Sequence, residues 1–201
     1  MNRHHFYLSI VSHGHDKFII NNSEFSRLAK RNDITVIVLD NIQNSTLKDH
    51  CLKNRIDYLF NEAPLGFGAN NNTVFKHCVS KHSILDTDYF IVLNPDVILS
   101  ENEFENLVQF TDDHEPTFFT INLFLDKDFK EFDPGIRYFP NVMSYFKSFF
   151  LNLGYSYDKS IIYKPKTVDW ASASFLGFKS SFYQKLNGFD EGFFMYCEDI
   201  D

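Results

Sequence analysis

At 201 residues, 44% of them hydrophobic, the chain can bury one substantial α/β core and is too short for a second full domain. Its formal net charge of −8 argues against a nucleic-acid partner, because phosphate backbones need a basic surface. A nucleotide remains compatible, since a divalent cation reconciles carboxylates with a diphosphate.

Cys51, Cys78 and Cys197 form no C-x-x-C pair and read as reduced thiols rather than a disulfide frame or a zinc site. The opening Met1 to His5 runs into an apolar strand with no signal-peptide core, and no stretch reaches the ~18 apolar residues of a spanning helix. A soluble or peripheral, cytoplasmic protein is expected. The 24 Phe and 10 Tyr could fill a core, line a sugar groove or touch a membrane, and composition does not choose among these.

Along the chain, strand and helix signals alternate. Residues 6–12 (FYLSIVS) form a short apolar run, and a helix is expected over 17–30 with Phe18, Phe25 and Leu28 on its apolar face. Residues 34–39 (ITVIVL) are a β-branched run of the kind buried in parallel sheets. Ser45 is the expected cap of a helix through Leu52, a third strand spans 56–60, and a helix spans 69–82. Residues 89–93 (YFIVL) are the most hydrophobic strand, and Ser100 to Glu103 matches a capping box that opens the next helix. Four such strands within about a hundred residues imply a parallel sheet with right-handed crossovers, whose ligands lie beyond the strands' carboxyl ends. The second half is less regular. Strands are expected over 117–124 and 168–178, the latter ending at Ser180, which can cap a short helix. Residues 143–153 (MSYFKSFFLNL) form an aromatic amphipathic segment.

Five motifs sit where chemistry is expected. Asp40 closes the second strand and can accept from a nucleobase or ribose, or simply cap the following loop. Gly66-Phe67-Gly68-Ala69-Asn70-Asn71-Asn72 opens a helix; its glycines permit close backbone approach and the helix N-terminus favours a diphosphate, although an Asn-rich cap would look similar. No third glycine stands in register, which disfavours a dinucleotide site. Asn94-Pro95-Asp96 halts the fourth strand and leaves Asp96 at the sheet edge, as an oxygen ligand for Mg²⁺ or Mn²⁺ or as part of a turn. Trp170 precedes the small residues Ala171 to Ser174, so its indole can stack on a sugar or pack in a core. The last stretch, 189–201, alternates aromatics with carboxylates; burying the rings would carry Glu198, Asp199 and Asp201 beside a pocket.

Taken in order, these motifs resemble the inverting glycosyltransferases of family 2, GT-A type, nearest their bacterial rhamnosyltransferase branch. The matching residues are Ser12-His13, Leu39-Asp40-Asn41, Leu65 to Asn71, Leu93 to Asp96, Trp170 to Leu176, and Gly188 to Glu191 through Glu198-Asp199-Ile200-Asp201. The resemblance covers essentially the whole chain. It implies an α/β GT-A fold: a mainly parallel nucleotide-binding sheet over 1–115 and a smaller mixed acceptor region over 116–201, in one domain.

The resemblance also implies roles. A nucleotide-diphosphate sugar would lie on Ser12, Asp40, Asn41, Gly66, Phe67, Gly68, Asn70, Asn71 and Asn94, with a divalent cation (Mg²⁺ or Mn²⁺) on Asp96. Trp170 and Ser172 would meet the acceptor, and Asp199, with Glu198 second, would be the general base. The family's metal motif is often D-x-D; Asn94 in its first position leaves one carboxylate. Family members continue beyond E-D-x-D, so the acceptor half is expected to be truncated at its C-terminal end.

The expected reaction is transfer of L-rhamnose from dTDP-rhamnose to a lipid-linked saccharide in lipopolysaccharide O-antigen or other surface-polysaccharide synthesis, at the inner face of the bacterial inner membrane. The alternatives are a UDP-galactofuranose or UDP-hexosamine donor, or an inactive nucleotide-binding remnant.

Overall fold

The computed structural model describes residues 4–139, 156–162 and 164–194. The aromatic segment 145–153 and the terminal residues 195–201, with Glu198 and Asp199, lie outside the described residues. Strands β1 (Phe6–Ser12), β2 (Ile34–Asp40), β3 (Asp57–Phe60) and β4 (Tyr89–Leu93) pair in parallel in the order β3-β2-β1-β4. The sheet is extended antiparallel by β8 (Phe175–Lys179), itself paired with the two-residue β5 (Phe118–Phe119). A separate ribbon joins β6 (Ile136–Arg137) to β7 (Trp170–Ala171). The mainly parallel α/β sheet is as expected, and the strand order reverses at β1 and β4, where such sheets open a crevice.

Side-chain alternation along the strands builds two cores. Phe6, Leu8, Ile10, Val36, Val38, Ile91 and Leu93 face one layer, against Phe25, Leu28, Leu47 and Phe104. Tyr7, Ile37, Leu39, Phe90 and Val92 face the other, against Val74, Phe75, Cys78 and Tyr183. The first layer holds helices α1 (Asp16–Asn21), α2 (Ser23–Leu28), α3 (Ser45–Lys53) and α5 (Glu101–His114). The second holds α4 (Phe67–His77) and α6 (Ser180–Leu186).

Several boundaries differ from the sequence reading, each for a local reason. The helix expected over 17–30 is two short ones, broken at Asn22, whose side chain accepts from Glu24 N at 3.2 Å and whose amide donates to Val97 O at 3.2 Å. Asn44, not Ser45, caps α3 by accepting from Leu47 N at 3.0 Å. α4 begins two residues earlier than expected because Gly66 is its cap, and it ends in one turn of π-helix, Cys78–His82. The capping box at Ser100 and Glu103 is present as read. The strand expected over 168–178 is split into β7 and β8, and Lys179 rather than Ser180 occupies the cap position of α6. Gly177 in β8 is needed because the Phe119 ring lies where a Cβ would stand.

Candidate active site

The register fixes the site's floor. Ser12 lies opposite Asp40, and Ile10 opposite Leu93, so Ser12, Asp40, Asn41 and Asn94 gather at one edge of the sheet. Asp40 is fully buried, and its carboxylate accepts from Ile42 N at 3.1 Å, from Asn44 N, and from the Tyr58 hydroxyl at 2.9 Å. Its oxygens thus hold the chain's own loop at this edge of the sheet. Burial first, and then the hydrogen bond to Asp40, pushes the Tyr58 phenol upward. Tyr58 was not singled out from sequence, because only strand register places it beneath Asp40. Ser12, also buried, accepts from His15 N at 3.3 Å and orients the exposed turn of His13 to His15.

An amide network shapes the loop above β3. Asn41 accepts from Leu65 N at 2.9 Å and donates to Leu65 O at 2.8 Å, so it pairs with that residue as a neighbouring strand would. Asn61 bridges Asn41 at 2.8 Å and Asn70 at 2.6 Å, and Asn70 donates back to Leu65 O at 3.0 Å. Asn71 accepts from Ser9 at 2.7 Å and ties α4 to β1. Asn72 accepts from the Tyr183 hydroxyl at 2.7 Å and from Phe189 N at 3.0 Å. Asn70, Asn71 and Asn72 are thus buried ties within the protein.

The glycines are packed equally closely. A Cβ on Gly66 would stand 2.5 Å from Phe194 O, and one on Gly68 would stand 2.8 Å from Phe189 Cβ. The close approach they allow is that of the chain's own segment 189–194. Phe67 N donates to Phe194 O at 3.1 Å, and the Phe67 ring meets Phe189 edge-on at 6.0 Å. The terminal segment is therefore delivered to the α4 N-terminus, at the same edge as Ser12 and Asn94.

Asp96 is exposed, in the turn after β4. It borders a cleft of about 900 Å³ whose walls include Ile98, Leu123, Phe124, Phe129 and Ser174. Among the described residues Asp96 belongs to no cluster of three or more His, Cys, Asp or Glu ligands. One exposed carboxylate still fits a hard cation that takes its remaining ligands from substrate phosphates and water. Asn94 N donates to Ser174 O at 3.0 Å, and Ser172 Oγ lies 3.3 Å from Ser174 Oγ, so β7 and β8 connect the Asp96 turn to the expected acceptor side. Trp170 is half-buried with the Arg137 guanidinium 5.4 Å above its ring, so a partner already stacks on one face.

A sheet of this order with a glycine-opened helix and an acidic turn at one edge is shared by many nucleotide-binding proteins. The deciding observation is that residues 20–184 match the model of glycosyl transferase family 2. The chain belongs to that family. It is 34% identical over 197 residues to the rhamnosyltransferase WbbL of Escherichia coli K12, covering 97% of this chain and 74% of that protein.

The fold is shared with solved structures. TarS of S. aureus, residues 1–349 in complex with UDP, superposes with a TM-score of 0.58 at 13% identity, over 97% of this chain and 52% of that one. The mannosyltransferase PcManGT of Pyrobaculum calidifontis, with GDP-Man and Mn²⁺, gives 0.55 at 10% identity, over 92% and 47%. This chain thus spans about half the length of those structures. At such identities they show the GT-A fold alone. Among the described residues no helix is long and apolar enough to cross a membrane.

Proposed function

We propose that this family 2 glycosyltransferase transfers L-rhamnose from dTDP-rhamnose to a lipid-linked saccharide during surface-polysaccharide synthesis, such as that of lipopolysaccharide O-antigen. The observation that carries this reading is the 34% identity to a rhamnosyltransferase along 97% of the chain. The donor would lie across the edge formed by Ser12, Asn41, Leu65, Gly66 and Asn94, with its diphosphate towards Asp96. The acceptor would approach by the cleft beside Asp96, where apolar walls suit a lipid-linked substrate.

The mechanism is a single displacement with inversion. The Asp199 carboxylate takes the proton of the acceptor hydroxyl as that oxygen attacks the anomeric carbon. The bond from the anomeric carbon to the diphosphate oxygen breaks, and the nucleoside diphosphate leaves with the electron pair. A divalent cation on Asp96 would neutralise charge on the departing diphosphate. Asp40 shapes the floor of the site by holding its loop.

A thermal-shift panel of nucleotide-diphosphate sugars, with and without Mn²⁺, tests the donor. The reading expects the largest stabilisation from dTDP-rhamnose. A larger shift with UDP-galactofuranose or a UDP-hexosamine would transfer the assignment to that donor, and no shift with any of them would indicate an inactive remnant. Asp96→Asn, isosteric and exposed, is expected to abolish the Mn²⁺-dependent part of donor binding and leave the fold intact. Equal donor affinity of the two proteins in Mn²⁺ removes Asp96 from the site.

The acceptor implies work at the cytoplasmic face of the inner membrane. Tyr145, Phe146, Phe149, Phe150, Leu151 and Leu153 are the residues that would dock there. Phe149→Ser with Phe150→Ser is expected to weaken liposome co-sedimentation. Unchanged sedimentation of a folded variant assigns these rings to the core instead.

A further inference from the structure

The other concentration of chemistry lies at the far end of α4. That helix starts at the donor edge and runs back along the sheet, so about 16 Å of helix, at ~1.5 Å per residue, separates its N-terminus from His77. There Asp57, the first residue of β3, is met on its Oδ2 by His77 Nε2 at 3.2 Å, Lys81 Nζ at 2.8 Å and His82 Nε2 at 2.7 Å. The ligand atoms of Asp57, His77 and His82 all lie within 4.8 Å of one another, the one such trio among the described residues. Their side chains are 19–23% exposed, sheltered but reachable.

The backbone departs from regular helix where this trio requires it. On an α-helix, residues five apart point about 140° from each other, so His77 and His82 would diverge. The turn Cys78–His82 is π-helical, with the i→i+5 pattern that brings residues five apart onto one side, and it stops at Ser83 with φ 54°. Such π-turns in α-helices are frequent at functional sites. Here the turn sets the two imidazoles 5.5 Å apart, centroid to centroid, over one carboxylate. A tetrahedral Zn²⁺ with bonds of ~2.0–2.2 Å needs donor atoms about 3.3 Å apart; Asp57 Oδ2 stands 3.2 Å and 2.7 Å from the two imidazole nitrogens, and all three ligand atoms lie within 4.8 Å of one another.

We propose that Asp57, His77 and His82 form a Zn²⁺ site, two imidazoles and a carboxylate with water in the fourth position, that fastens the end of α4 to β3. Two nitrogen ligands select a late first-row cation such as Zn²⁺ over the hard cation that a lone carboxylate like Asp96 suits. Lys81, with half its side chain in solvent, occupies the carboxylate in the metal-free protein and withdraws into water when the ion enters. The site lies away from the donor edge, so its test is independent of the sugar-transfer reading.

Co²⁺ and Zn²⁺ titrations of the whole chain test it. One equivalent of Co²⁺ should produce the strong visible absorption of a tetrahedral N/O site without a thiolate charge-transfer band, and Zn²⁺ should abolish it. His77→Ala and His82→Ala should each weaken Zn²⁺ binding by about 100-fold or more, ligand loss exceeding the ~10–100-fold cost of outer-shell changes. They should also remove the Zn²⁺-induced rise in melting temperature while donor binding persists. Lys81→Met should tighten Zn²⁺ by about two- to fivefold, since an exposed ion pair no longer competes. A thiolate band, a purely octahedral spectrum, or Zn²⁺ affinity unchanged in both folded histidine variants overturns the proposal.

Discussion

Asp199→Asn is expected to lower turnover by roughly 10²–10⁴-fold, the usual contribution of a positioned general base, and to leave donor affinity almost unchanged. The asymmetry follows from the base acting on the acceptor hydroxyl rather than on the nucleotide sugar. The structure carries the chain to Phe194 beside Gly66, five residues before Asp199, where Phe67 N holds the Phe194 carbonyl. Phe194 therefore stands at the α4 N-terminus, at the edge where the donor is proposed to lie.

Along an extended segment Glu198 and Asp199 would point to opposite sides, so one of the two should matter far more than the other. Comparing kcat with the donor dissociation constant for Asp199→Asn and Glu198→Gln makes the distinction. Full turnover by Asp199→Asn moves the base elsewhere, and a large loss confined to Glu198→Gln exchanges the two roles.

Asp40→Ala should destabilise the protein by about 3–5 kcal/mol. The carboxylate is fully buried and accepts from two backbone N–H groups and the Tyr58 hydroxyl, and each donor left unpaired costs about 1–3 kcal/mol. For a chain of this length that corresponds to a fall in melting temperature of roughly 6–20 °C. Asp40→Asn should lie between, because its amide keeps one acceptor but turns an N–H toward backbone donors. Tyr58→Phe, which removes one of three bonds, should cost about 0.5–1.5 kcal/mol. Donor affinity should fall with Asp40→Ala even without direct contact, since the loop it holds carries Asn41 and, through Asn41, Leu65. A melting temperature for Asp40→Ala within about 2 °C of the parent would show that the carboxylate does not hold the loop.

Much of the scaffold was legible because the signals are local. β1, β2 and β4 are short apolar or β-branched runs, and the Ser100–Glu103 box marks the start of α5 within four residues. The family resemblance rested on motifs that keep their order, and the match over residues 20–184 bears it out. Helix ends were read less well. Asn22 and Asn44 decide them through side-chain hydrogen bonds that propensity does not distinguish from those of neighbouring polar residues.

What the sequence determined by itself is therefore the class of fold and the family. Only tertiary structure decided what the edge residues touch. Asn72 reaches Phe189, 117 residues away, and Gly66 and Gly68 make room for Phe194 and Phe189. Asp40 turns its oxygens into its own loop, and Asp57, His77 and His82 converge although their spacing matches no familiar ligand pattern. The physical reason is shared. Hydrophobic periodicity and capping act over a few residues, whereas a buried amide or carboxylate takes whichever partner strand register and helix packing bring to it.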